Sequence, residues 1–227
     1  MQTRHRLSRR QMLRLSAVVG SFTLTNSIHA AIAQVPRPAP VRPRTPGQIL
    51  GPFYPLRKPL DQDADLTAIA GKSGQAAGQV IEIAGRVLTV AGQPVPNATI
   101  EVWQANTHGR YTHPSDRNSA PLDPNFEGYA TLKTDAEGRY RFKTVKPGAY
   151  PLNATLIRPP HIHFEVTGKH NRLVTQLYFA DEPLNDRDPF LQSAGAGKSQ
   201  LIVTLRPHPD LPPKTLLGLW DIVLETG

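Results

Sequence analysis

Two histidines one residue apart, His161 and His163, stand in the run Arg-Pro-Pro-His-Ile-His-Phe-Glu at residues 158–165. Proline cannot continue a hydrogen-bonded ladder, so Pro159 and Pro160 mark where a strand begins. Beyond them Ile162, Phe164 and Val166 alternate with His161, His163 and Glu165. Residues two apart on a strand share a face, which aims both imidazoles at one point and sends Ile162 and Phe164 into a core. Neutral imidazole is the commonest side-chain metal ligand, and two on one face begin a metal site. The same run also describes a surface strand carrying two exposed histidines, because His-x-His is short and arises by chance.

The elements that must position these residues read as β throughout. Val80, Ile81, Ile83, Val87, Leu88 and Val90 make strand-like runs around Gly85, and residues 99–103 alternate again. Further strands are expected at 129–134, 140–144, 161–167, 173–179 and 200–205, with a last one over 219–224. Turn chemistry separates them: Gly-Gln-Pro-Val-Pro at 92–96, Asp-Ala-Glu-Gly at 135–138 and Lys-Pro-Gly at 146–148. One short helix fits near 189–196. Many short strands with turn signals between them predict an all-β, antiparallel β-sandwich. The stretch 105–128 has little periodicity and is rich in Asn, Asp and Pro; a loop of that length in a compact domain is usually functional or disordered.

The chain has 227 residues and a formal net charge of +8. Five arginines (Arg4, Arg6, Arg9, Arg10, Arg14) lie in the first 33 residues with no acid to balance them, so the basic balance belongs partly to a tail. A nucleic-acid partner has little support. There is no cysteine, which excludes disulfides, thiolate metal sites and a thiol nucleophile. No stretch is long and apolar enough for a firm transmembrane span. Ser-Arg-Arg-Gln-Met-Leu-Arg at 8–14, a moderately apolar segment after it and Ala-Ile-Ala at 31–33 resemble a twin-arginine export signal with its cleavage site. The expected organisation is an export signal at 1–33, an unpacked Pro-rich linker at 34–46 and one folded domain at 47–227, in a protein that ends up periplasmic or secreted.

The stretch from Ala84 to Phe142, with its Ala-Gly-Arg-Val, Gly-Gln-Pro-Val-Pro-Asn-Ala and Thr-Asp-Ala-Glu-Gly-Arg-Tyr-Arg-Phe segments, resembles the prealbumin-like sandwiches of many adhesins and carrier domains. That pattern specifies fold, not chemistry. The loops add motifs such modules lack: Gly-Arg-Tyr-Thr-His at 109–113, Ala-Pro-Leu-Asp-Pro-Asn-Phe at 120–126, Lys-Pro-Gly-Ala-Tyr-Pro at 146–151, the His-x-His run, and Leu-Val-Thr-Gln-Leu-Tyr-Phe at 173–179. In this order they resemble the intradiol ring-cleavage dioxygenases, most of all the protocatechuate 3,4-dioxygenase β chains, over about residues 47–227.

The resemblance implies a non-haem ferric ion held by Tyr111, Tyr150, His161 and His163. Phenolate is a hard anionic oxygen donor that favours a highly charged cation, and imidazole suits iron as well. It further implies Arg158 as the cation over a bound catecholate, Gln176 as a hydrogen-bonding group near it, and Tyr150 as the ligand that leaves to take a substrate proton. Tyr150 lies beside Gly148 and Pro151 in what reads as a loop, where a swing is easy. Implied partners are a catecholic substrate and O2, with a homo-oligomer or an α-type partner chain. Tyr54, Tyr129, Tyr140 and Tyr178 read as ordinary half-buried aromatics, and Glu101, His108, His113, Asp116 and Asp123 as loop scaffold or pocket rim.

The chain departs from the protocatechuate pattern at Leu152 and Ile157, where tryptophans are expected, and at Pro160 in place of an alanine. It has no obvious match for the N-terminal stretch that helps to line the pocket, and it lacks the helical dimerisation domain of the catechol and hydroxyquinol enzymes. These departures spare the metal and put the ring substituent in doubt. Two other readings of the same residues stand beside the dioxygenase: a non-catalytic prealbumin-like binding module, and a zinc hydrolase built on His161 and His163.

Overall fold

The computed structural model describes residues 41–226. The expected export signal and the first part of the linker lie outside them. Two five-stranded sheets enclose one apolar core.

The first sheet is centred on β1 (Val80–Thr89), which pairs antiparallel with β4 (Arg139–Val145) on one side. On its other side it pairs parallel with β11 (Leu216–Leu219) and then with β12 (Ile222–Leu224), and β10 (Leu205–Pro207) extends the sheet beyond β11. The second sheet runs β3 (Tyr129–Lys133), β2 (Thr99–Trp103), β7 (His161–Thr167), β8 (Arg172–Phe179) and β9 (Ile202–Val203). The ladders are antiparallel except where β1 meets β11 and β12 and where β8 meets β9, so the sandwich is mixed rather than purely antiparallel. A two-residue ladder, β5 (Tyr150–Pro151) with β6 (Ile157–Arg158), stands apart from both sheets.

Alternation makes the core. Ile81, Ile83 and Val87 of the first sheet face Ile100, Val102, Ile162, Phe164 and Val166 of the second, all fully buried. The one α-helix among the described residues, α1 (Pro189–Gln192), is short and is flanked by 3-10 turns at Asn185–Arg187 and Gly195–Leu201. No helix among the described residues is long and apolar enough to cross a membrane.

Three further expectations change. The single strand expected at 200–205 is a 3-10 turn that ends at Leu201 followed by two short strands, because the chain passes between the sheets at Thr204: β9 pairs with β8 and β10 with β11. The single strand expected at 219–224 is broken, because β1 and the closing segment approach too closely at Gly85 for any side chain there. The Trp220 carbonyl lies against Gly85. It accepts from the Tyr140 hydroxyl at 2.7 Å, while the Asp221 carboxylate takes the Arg86 N–H at 3.0 Å in place of a ladder partner. The described end of the linker, residues 41–46, is not unpacked. The Arg42 N–H donates to Val90 O at 2.8 Å. Thr45 is buried and exchanges hydrogen bonds with Val223, its N–H donating to Val223 O at 3.1 Å and its hydroxyl accepting from Val223 N at 2.8 Å. Extended residues between prolines keep free N–H groups, which suits them to a sheet margin.

Candidate metal centre and active site

The outer face of the second sheet carries the site. Register places Tyr129 opposite Trp103, Trp103 opposite His163, and His163 opposite Gln176. Directly opposed residues share a face, so these four form a row across four strands. One step along, His161 is opposite Tyr178. The Nε2 atoms of His161 and His163 lie 3.2 Å apart. His161 Nδ1 contacts the Pro159 carbonyl at 2.7 Å, which fixes its proton there and leaves Nε2 with a free lone pair. His163 is stacked on Trp103, with centroids 4.9 Å apart and planes at 10°. Both imidazoles are buried, so neither is the exposed histidine of the alternative reading.

The two tyrosines reach the same place from loops. Tyr111 is set by a loop that its own Asn and Asp side chains hold in shape. Asn106 Oδ1 accepts from the N–H groups of His108 and Arg110, Asp116 accepts from Tyr111 N at 2.7 Å, and Asn118 donates to Gly109 O at 2.8 Å. Gly109 has φ +77° and lies against the Ala149 carbonyl, so a side chain there would collide with the segment that leads to Tyr150. Tyr150 itself sits on β5, paired with Arg158. It is therefore held in a ladder rather than in a free loop, and any swing belongs to its side chain. The Tyr111 and Tyr150 rings meet edge to face at 5.3 Å, and Tyr150 is 5.5 Å from His161, centroid to centroid.

The donor set passes a physical test for a cation. The hydroxyls of Tyr111 and Tyr150 and Nδ1 of His163 are buried without any hydrogen-bond partner. Unpartnered buried polar groups are rare and costly. Burial, followed by the nearby Arg158 guanidinium, pushes His161 well below the ordinary histidine range and His163 down to about 3, so both are neutral and able to ligate. Burial pushes both phenols up, Tyr111 well above its usual range with Tyr150 adding to the rise, and Tyr150 less because Arg158 opposes it. Two phenolates here require a compensating positive charge. No cluster of three or more His, Cys, Asp or Glu side chains among the described residues could hold a metal; two imidazoles and two phenol oxygens are the donors present.

Arg158 is 1% exposed. Its Nε donates to Asp188 Oδ2 at 2.5 Å, and its Nη2 to Gln176 Oε1 at 2.8 Å and to the Tyr178 hydroxyl at 2.9 Å. Gln176 in turn donates to Ile49 O at 2.9 Å. Tyr178 belongs to this site rather than to the ordinary half-buried aromatics: its ring also lies 5.5 Å from His161, with the planes at 29°. Tyr140 is a core residue, while Tyr54 and Tyr129 flank Trp103 at the margin. Asp116 supports Tyr111, Asp123 accepts from Ala77 N and Asn125 N, and His113 accepts from Ser115 N. Glu101 joins Tyr54 and Lys58.

A strap of residues 46–54 covers the centre. Gln48 N donates to Val174 O at 2.8 Å, and Phe53 lies 4.6 Å from Tyr111 and 5.8 Å from Tyr150, centroid to centroid. This strap does what the missing N-terminal match was expected to do. A cleft of about 580 Å³ lies over the start of β4 and the end of β3, at the far end of the sandwich; it contains none of these groups. A smaller cavity of about 110 Å³ reaches Tyr111 and is lined by Phe53, Arg57, Trp103, Thr112 and Glu127 among others. Leu152 packs on the aromatic cluster, and Ile157 is exposed.

Fold, motifs and donor set describe one class of protein. A family model described as Dioxygenase matches residues 49–226, and the chain belongs to the intradiol ring-cleavage dioxygenase family. It is 48% identical over 149 residues to a protocatechuate 3,4-dioxygenase beta chain of Burkholderia cepacia, covering 63% of each chain. It is 30% identical over 185 residues to a catechol 1,2-dioxygenase of Acinetobacter baylyi, covering 73% of this chain and 55% of that one. The matched stretch thus spans less than two thirds of either relative. Among solved structures, the dioxygenase domain of a dioxygenase–carbohydrate-binding protein fusion from Streptomyces sp. SirexAA-E matches with a TM-score of 0.62 at 25% identity, over 82% of this chain and 100% of that one.

Proposed function

We propose that the protein is a non-haem Fe(III) intradiol dioxygenase that opens the ring of protocatechuate or a related catechol with O2, giving a cis,cis-muconate-type dicarboxylate. The observation that carries this reading is the convergence of two neutral imidazole nitrogens and two unpartnered phenol oxygens in one buried aromatic pocket. Tyr111, Tyr150, His161 and His163 would hold the iron. When bound, it supplies Lewis acidity and a template that gathers catechol and dioxygen chemistry at one point.

The chain's own groups do the rest. Tyr150, which the Arg158 cation beside it helps to hold as phenolate, accepts one catechol proton at its oxygen. Arg158 faces charge that develops on the substrate, and a fixed cation in a water-poor site needs no reorganisation to do so. Gln176 holds the guanidinium on one side and the strap carbonyl of Ile49 on the other. Phe53 and the strap exclude water. Neither the binding module nor the zinc hydrolase is favoured, since both leave the paired phenols without a purpose.

The proposal extends to export by the twin-arginine route, on residues 8–14 and 31–33, and to assembly with copies of itself or with an α-type chain, on the likeness to a beta chain. Metal analysis with a visible spectrum of purified protein tests the central reading. Stoichiometric iron with a wine-red phenolate band is expected. Colourless protein with stoichiometric zinc would overturn it.

A further inference from the structure

Asp188 lies in the segment between β8 and α1 and was not singled out by any motif. Its side chain is completely buried. It does two things at once. Oδ1 accepts the Leu191 N–H at 2.8 Å and so caps α1, with Pro189 at the first helical position. Oδ2 accepts from Arg158 Nε at 2.5 Å, and Oδ1 lies 3.5 Å from Arg158 Nη2. The guanidinium is then boxed in: Gln176 and Tyr178 take Nη2, and the Phe190 ring covers its face at 4.4 Å. Nη1 is bound by none of these partners, and the side chain that carries it is paired with Tyr150 across the short ladder.

We infer that Asp188 is a positioning residue for Arg158: it uses the rigid start of α1 to lock the guanidinium so that its Nη1 edge faces the substrate. The inference rests on the proposed dioxygenase reading. The structural argument is that a long side chain with four rotatable bonds is otherwise free to turn, and that a planar guanidinium held through Nε and Nη2 has only one orientation left. A helix cap is a good anchor because the short element it starts is packed on the core through Leu191. Asp188 touches no reacting atom in this scheme and acts through Arg158.

The test uses the iron-loaded protein with protocatechuate and catechol, and four variants: Asp188→Asn, Asp188→Glu, Arg158→Ala, and Arg158→Ala with Asp188→Asn. Asp188→Asn keeps an acceptor for the cap but removes the charge. Asp188→Glu keeps the charge but moves the carboxylate by one methylene. Both should retain iron, lose about 10- to 100-fold in kcat per bound iron, and change KM less. A purely structural cap would lower the melting temperature without changing kcat per bound iron. In the Arg158→Ala background, Asp188→Asn should cost no further activity and should raise the melting temperature, because it removes a buried charge whose partner is gone. Wild-type kcat in either single Asp188 variant would overturn the inference. So would losses that multiply in the double variant, or melting shifts that simply add. If iron-loaded wild type turns over no catechol, the dioxygenase reading fails instead, and the melting cycle alone decides whether Asp188 and Arg158 are coupled.

Discussion

His161 Nε2 and His163 Nε2 face each other at 3.2 Å inside a site closed to water. With the His161 proton on Nδ1, at most one hydrogen can lie between these nitrogens, and placing it there strips His163 Nδ1, which has no partner either way. A cation shared by both lone pairs removes the conflict. His161→Ala should therefore lose most bound iron and the visible band, read by metal analysis and absorbance. Ile162→Ala, between them, points into the core and should keep iron while losing about 2–5 kcal/mol of stability. An iron-replete, coloured His161→Ala protein would refute the shared site.

Tyr150 and Tyr111 are predicted to differ. Tyr150 is the phenol whose rise Arg158 opposes most directly and the one paired with Arg158 across the short ladder. Tyr111 N is tied to Asp116 and its ring is held under Phe53. Tyr150→Phe should keep iron, lose part of the visible band, take up fewer protons on anaerobic catechol binding, and turn over about 100-fold or more slowly, as for loss of a general base. Tyr111→Phe should alter the spectrum of the catechol complex itself. Equal tyrosinate loss on substrate binding in both variants would reject this division of labour.

Why some of this was legible in the sequence and some was not follows from the range of the interactions. Local alternation exposed β7 and β8, and the face shared by His161 and His163, because a strand fixes side-chain direction with a period of two. The loop motifs marked Tyr111 and Tyr150. Asp188 was invisible because its partner lies thirty residues away in the chain; the signal present, Asp before Pro, announces only a helix cap. The break at Trp220 depends on how closely β1 passes, which no pattern within 219–224 records. Residues 41–46 read as unpacked linker because proline composition reports what a segment cannot do alone, not what surface it will lie on.

The strap predicts a steric sensitivity. Gly51 has φ +77°, and a Cβ there would sit 2.9 Å from His163 Cε1. Gly51→Ala thus adds both backbone strain and pressure on the imidazole plane stacked on Trp103. The expected result is a shifted visible band and weaker iron retention under chelator, with about 1 kcal/mol or more lost from the melting transition. Gly71→Ala, which shares the positive φ but meets nothing within 4 Å, is the control for strain alone. Equal iron retention in the two variants would show that the strap does not bear on His163.

Export is checked separately. Changing both Arg9 and Arg10 to Lys should leave the protein unprocessed inside the cell, while wild type is recovered outside the cytoplasmic membrane with a mature N-terminus near residue 34, read by mass spectrometry. Normal processing of the double variant would count against the twin-arginine reading.

Glu127 gives the pH prediction. It lines the small cavity that reaches Tyr111. Burial, followed by the nearby Asp61 carboxylate, pushes its carboxyl up to about 7. An acid whose pKa is higher in the folded state than in the unfolded chain binds more protons when folded, between about pH 4.5 and 7. Stability from this group is therefore present below that window and falls as pH rises through it, leaving a standing cost above pH 7. Because the side chain is only half buried, solvent screening keeps that cost to about 1 kcal/mol, or roughly 2–4 °C in melting temperature for a domain of this size. Glu127→Gln should remove the slope: its melting temperature should exceed wild type by that amount at pH 8 and match it at pH 4.5. The measurement is a series of melts of both proteins from pH 4.5 to 8. A wild-type advantage at pH 8, or parallel curves across the range, would show that Glu127 is charged in the fold at no cost.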